Sequence, residues 1–157
     1  MENIDTKLTP SDFVVITCNC HIRRPIAGAW QRIGGFDDAG TFLNIACELI
    51  SDVDGLGGVR KVANSILEVM VGQSEYSYSY AQISGPMAHL TYHGCVSLAA
   101  DGTDSCRLTY SIVYDQTKLQ ENERAAQVQR ISQRFQGAAD AMKLAAENDI
   151  SSDGIAE

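Results

Sequence analysis

Residues 75–85 read Glu-Tyr-Ser-Tyr-Ser-Tyr-Ala-Gln-Ile-Ser-Gly (EYSYSYAQISG) and put Tyr76, Tyr78 and Tyr80 at every second position. On a strand that spacing stacks three phenols on one face. The face can look at water, into an ordinary core, or into a cavity that holds something. The fold and the function both turn on which.

The flanking sequence supplies the rest of a sheet. Phe13 to Ile22 (FVVITCNCHI) is rich in β-branched and small residues and predicts a first strand, broken by Arg23-Arg24-Pro25. Pro25 suits a helix's first turn, and Ile26, Ala29, Trp30 and Ile33 recur at helical spacing until Gly34-Gly35. A second short helix is expected over Ala39 to Leu43. From Cys47 to Tyr114, turn signals recur at Asp52 to Gly58, Ala63-Asn64-Ser65, Gly72-Gln73-Ser74, Gly85-Pro86 and Asp101-Gly102. They divide the segment into about six further strands with short connections, an antiparallel meander.

The last segment predicts one long helix. Thr117 and Gln120 have the spacing of a capping box. Val128, Ile131, Phe135, Ala138, Met142 and Ala145 form one apolar stripe, with Gln127, Gln129, Arg130, Gln133 and Arg134 on the other face. A seven-stranded sheet needs a cover, and this helix is the only large candidate. One helix cannot cover so wide a sheet unless the sheet curls around it. Such a wrap leaves a hollow between the two, the setting in which small ligands bind.

Composition narrows the classes. The chain has 157 residues, 45% of them hydrophobic, as suits one domain, expected over residues 1–148. The stretch from Asp149 to Glu157 is small, polar and acidic, and is expected to be a disordered tail. A net charge of -8 argues against a nucleic-acid backbone or an anionic membrane as partner. No apolar run is long enough to span a bilayer, and MENIDTKLTPSD lacks the features of a secretory signal, so a cytoplasmic location is the expectation. The five cysteines include Cys18-Asn-Cys20, but no second pair completes a zinc site; reduced, half-buried thiols are expected. No phosphate loop, nucleophile elbow or metal motif is present, and no cofactor is expected. Gly55-Leu-Gly-Gly58 precedes a strand rather than a helix, which rejects a dinucleotide fingerprint.

The order of these features resembles the START-like (SRPBCC) superfamily, which includes birch-pollen-allergen proteins, plant abscisic-acid receptors and polyketide cyclases. The resemblance runs from about Phe13 to Ala145. It is carried by Ile22-Arg-Arg-Pro25, Ala29-Trp30-Gln-Arg-Ile33-Gly-Gly-Phe36, Gly55-Leu-Gly-Gly-Val-Arg60 and Ile66-Leu-Glu68-Val. Tyr78-Ser-Tyr80-Ala-Gln-Ile83 with Gly85-Pro86-Met87, then Tyr92, and Tyr110-Ser-Ile-Val-Tyr114-Asp115 complete it. No single motif is diagnostic; order and spacing together speak for fold more than for function. The resemblance implies an α+β helix-grip, a roughly seven-stranded antiparallel sheet around a long C-terminal helix, with two short helices after the first strand.

Carried over by position, the family's pocket-facing residues fall on Val62, Glu68, Tyr80, Gln82, His89, Tyr92 and Tyr110. Alternation adds Tyr78 and Tyr114, and Phe135 joins them from the helix stripe. All six tyrosines can share one interior face under a single register; Tyr76, nearest a turn, is the one most suited to leave it. Two departures disfavour hormone reception. The receptors' ligand-anchoring lysine falls on Ile45, and their gating loop is reduced to Ala63-Asn64-Ser65.

Glu68 is the first candidate for chemistry, since burial would raise its pKa toward neutrality, and pairing with Arg60 would oppose that. A three-residue turn at Ala63 to Ser65 sets Arg60 across from Glu68. A two-residue turn sets Lys61 there instead and turns Glu68 to solvent. His89, beyond Gly85-Pro86-Met87, is placed near the pocket mouth, where it either moves protons or is simply an exposed loop histidine. Two function classes stay open. One is a cofactor-independent lyase, cyclase or dehydratase, in which Glu68 or His89 moves a proton and Tyr80, Tyr92 or Tyr110 steadies an oxyanion. The other is a carrier or sensor of a hydrophobic molecule, with the same residues, Arg60 included, only satisfying ligand groups. A partner-binding module is the weaker third. Leu67, Val69 and Val71, facing outward, hint at a contact between two copies.

Overall fold

A computed structural model of the chain describes residues 12–148. The expected tail from Asp149 onward lies outside them. Strand β1 (Phe13–Ile22) is followed by two helices, α1 (Ile26–Ile33) and α2 (Ala39–Phe42). Six strands then run in sequence: β2 (Cys47–Leu49), β3 (Val59–Val62), β4 (Ile66–Ser74), β5 (Ser77–Ser84), β6 (His93–Ala100) and β7 (Cys106–Asp115). Helix α3 (Glu121–Glu147) closes the chain. All seven strands form one antiparallel sheet in the order β1-β7-β6-β5-β4-β3-β2, so only β1 crosses the meander to pair with β7.

The sheet curls where β4 and β5 slip register. One shift lies between Leu67 and Glu68 and another between Met70 and Gly72, leaving Ile83 and Val71 unpaired and exposed. Each such bulge bends and twists its strand. The curl is not fully filled by α3. The helix packs chiefly on β1, β7 and α1, and β3 to β5 face its side chains across a hollow. At the covered end Ile22, Val96, Leu108, Ile112, Ala139, Met142 and Ala146 are almost wholly buried. Each fully buried Leu, Ile or Met there contributes roughly 1.5–3 kcal/mol.

Helix α3 is held at both ends. Its last carbonyls have no partners within the helix. Arg32 donates to the carbonyl of Ala146, and Arg24 to those of Glu147 and Asn148. The Glu147 carboxylate accepts from the backbone N–H of Arg23 at 2.8 Å and from Lys143 at 2.9 Å. At the other end Arg124 bonds Asp12 at 3.0 Å. The expected capping box is not formed. The Thr117 hydroxyl and backbone N–H both donate to Asp115, a local turn that delays the helix until Glu121, and Gln120 makes no side-chain cap. Gly34, which ends α1, has an ordinary right-handed backbone; it is needed because a Cβ there would fall 2.3 Å from the Trp30 ring.

Candidate functional site

The turn between β3 and β4 decides the site. Ala63 (φ 52°) and Asn64 (φ 64°) both take the left-handed conformation. Together with Ser65 they make a three-residue turn that pairs Val62 with Ile66 and Arg60 with Glu68. Both charged side chains therefore point inward, 4% and 6% exposed. Arg60 sets Nε and Nη2 each 2.9 Å from Glu68 Oε1 and donates from Nη1 to the Phe36 carbonyl at 2.8 Å. Its guanidinium carbon lies 4.3 Å from the centre of the Phe36 ring and 4.6 Å from that of Tyr80, a cation–π arrangement. Burial would strip Arg60 of its charge, but Tyr78, Glu68 and Tyr80 around it drive its pKa above the usual range. Among the described residues nothing bonds the second carboxylate oxygen of Glu68, Oε2.

The alternation of β5 sends Tyr78, Tyr80 and Gln82 inward and Ser79 and Ala81 to the other face. Tyr80 is the hub. Its hydroxyl is 2.6 Å from that of Tyr110 on β7 and 3.0 Å from that of Tyr92, just before β6. The Tyr80 phenol reaches this point by crossing β6 at Gly94, where a Cβ would stand 2.3 Å from Tyr80 Cζ. Burial first, then the neighbouring phenols, raise all three pKa values well above the ordinary 10, with Glu68 adding to Tyr80 and Tyr92. The trio is therefore a set of neutral donors at physiological pH. Burial likewise raises Tyr78, with Arg60 pulling the other way.

These groups line one cavity of about 320 Å³, within the range of small-ligand sites. Arg60, Val62, Ile66 and Glu68 form its floor with Tyr78, Tyr80 and Gln82, and Tyr92 and Tyr110 one wall. Helix α3 contributes Ile131, Arg134, Phe135, Gly137, Ala138 and Met142. Ala39, Leu43 and Ile45 close a side, and Pro86 and Met87 lie at the rim. The Gln82 side-chain oxygen accepts from the Met87 backbone N–H at 2.8 Å and so pins that rim.

Of the eleven residues singled out in the sequence, nine line this cavity and two do not. His89 is exposed on a short 3-10 turn (Ala88–Leu90), which buries Leu90 and leaves the rim to Pro86 and Met87. A left-handed Thr91 then reverses the chain and delivers Tyr92 inward instead. Tyr114 is fully buried but belongs to the packed core, four residues beyond Tyr110 along β7, about 13 Å away. Its hydroxyl has no partner among the described residues. Tyr76 is half-buried at the β4–β5 turn, so four of the six tyrosines share the cavity.

Arg134 was missed, because it lies beside the helix stripe rather than on it. Its charge registers electrostatically on Tyr92. Burial raises the thiol pKa values of Cys18, Cys20, Cys47 and Cys106, which leaves these cysteines protonated and poor nucleophiles. Leu67 and Val69 lie half-buried on the outer face and Val71 is exposed. No described helix is long and apolar enough to cross a membrane.

No known family profile matches the chain, and no curated protein matches it in sequence. Solved structures do match its fold. A protein of Nitrosospira multiformis is 17% identical over 88% of this chain and 99% of its own, with a TM-score of 0.68. Norcoclaurine synthase from Thalictrum flavum, in complex with dopamine and hydroxybenzaldehyde, is 18% identical over 85% of this chain and 86% of its own (TM-score 0.67). Ara h 8.0201 is 19% identical over 86% of this chain and 98% of its own (TM-score 0.62). The chain thus shares the helix-grip fold of these proteins, a seven-stranded antiparallel sheet around a long C-terminal helix.

Proposed function

We propose that the chain binds a small hydroxylated aromatic molecule in this cavity and carries out cofactor-independent proton transfer on it. The observation that carries this reading is the Tyr80–Tyr92–Tyr110 trio lining the same cavity as Glu68, whose Oε2 no described residue bonds. Three phenols carry three protons, and the two hydrogen bonds among them use only two. One O–H is left to donate to a ligand oxygen, where it would steady developing negative charge. Glu68 takes the proton through Oε2, while Arg60 holds Oε1 and keeps the carboxylate from rotating. Chemistry of the lyase, cyclase or dehydratase kind needs no more than this pair of functions. That a protein of the same fold, norcoclaurine synthase, is solved with two phenolic compounds supports the ligand class.

The carrier reading draws on one observation, that Glu68 is already ion-paired with Arg60. The two separate by kinetics. Hydroxyaryl aldehydes and ketones should be turned over in buffer without added metal or cofactor. Glu68→Gln should then lower kcat by about 100-fold or more while changing ligand affinity little. Tight binding without turnover across the panel would make the chain a carrier. Absence of both binding and turnover would end the proposal.

A further inference from the structure

The cavity's two charged walls differ. Arg60 and Glu68 neutralise each other deep inside, whereas Arg134 lies at the rim, exposed and without a carboxylate within ion-pair distance among the described residues. In a chain with net charge -8, a cation left free at a ligand site stands out. A second feature adjoins it. Gly137 lies one helical turn from Arg134, also lines the cavity, and a Cβ built there would meet nothing within 4 Å. Glycine inside a helix is destabilising relative to alanine. Gly137 is exposed and the space where a side chain would stand is open, so nothing obstructs the way past it to Arg134.

We infer that the ligand is an aromatic acid: its ring body enters among the tyrosines, passes the gap at Gly137, and presents a carboxylate or similar anionic group to Arg134. This rests on the cavity being the binding site and adds the charge of what it takes. Arginine suits the role, because its planar fork of donors matches two carboxylate oxygens at once. Partial exposure limits the gain to about one charge-assisted hydrogen bond, roughly tenfold in affinity.

Two fluorescent probes test it on the full chain. 8-Anilinonaphthalene-1-sulfonate carries an anion, and N-phenyl-1-naphthylamine is the same ring system without it. Arg134→Gln should weaken the sulfonate probe about tenfold and leave the neutral probe unchanged, and Arg134→Lys should restore part of the loss. Gly137→Ala should raise the melting temperature yet weaken both probes. Equal effects of Arg134→Gln on the two probes, or none on the sulfonate, would overturn the acid preference while leaving the cavity as a binding site. If neither probe binds the unmodified chain, the cavity reading falls and this inference with it.

Discussion

The two ends of the inner sheet face are built on opposite plans. Where α3 packs on β1 and β7, Ile16, Leu108 and Ile112 share a buried aliphatic core with Leu98 of β6 and with Ala139 and Met142 of the helix. Beyond the helix, β3 to β5 present Arg60, Glu68, Tyr78, Tyr80 and Gln82 around a hollow. Aliphatic side chains interlock and close space, as a dense interior requires. Phenols tied to one another by their hydroxyls, and a guanidinium braced by a carboxylate and three rings, hold their positions without filling what lies between. One end supplies stability, and the other spends part of it to keep a shaped, polar-lined space open.

The contrast can be broken most sharply at the buried ion pair. Arg60→Met should cost about 3–5 kcal/mol in urea unfolding, because Glu68 is left charged and unpaired in the interior. The double variant Arg60→Met/Glu68→Leu should recover most of that loss. A cost below about 1 kcal/mol for the single variant would show that water reaches Glu68 freely. A matched pair of deletions sharpens the comparison next. Leu108→Ala, in the packed end, should cost about 2–5 kcal/mol. Tyr80→Phe should cost only about 1 kcal/mol, since the Tyr92 and Tyr110 hydroxyls lose Tyr80 but still open onto the hollow. Equal losses would mean that the tyrosine end is core like the other.

The smallest effect is in acid. Burial alone would raise the Glu147 carboxyl, but Lys143 and Arg23 bring it from 4.5 down to about 2. A carboxylate depressed on folding adds stability that is complete above pH 4.5 and is lost as the pH falls toward 2. Thermal unfolding followed over that window should show the decline, and Glu147→Gln should flatten it. An unchanged slope would assign the acid sensitivity to other carboxylates.

Strand order and the facing of residues were the most legible features, because a period of two is written directly into EYSYSYAQISG and FVVITCNCHI. Alternation says which face a side chain joins, not how far along the groove it lies, and so it groups Tyr114 with Tyr110 although only Tyr110, packed on Phe135, reaches the hollow. The Arg60–Glu68 register depended on Ala63 adopting a positive φ, and alanine carries no mark of that in its identity. His89 was assigned by proximity to a loop whose 3-10 turn points it to water. Arg134 could have been found by asking which residues flank the apolar stripe as well as which compose it, since a long side chain at a helix margin reaches over a neighbouring hollow.

Anchorage of α3 at both termini limits how the protein can admit a guest. A flap needs one loose edge, and this helix has neither: swinging it outward would first rupture the Arg23–Glu147 contact at one extremity or Arg124–Asp12 at the other. Of the parts around the opening, the short loop at Pro86 and Met87, held by the Gln82 side chain, is therefore easier to displace than the long helix.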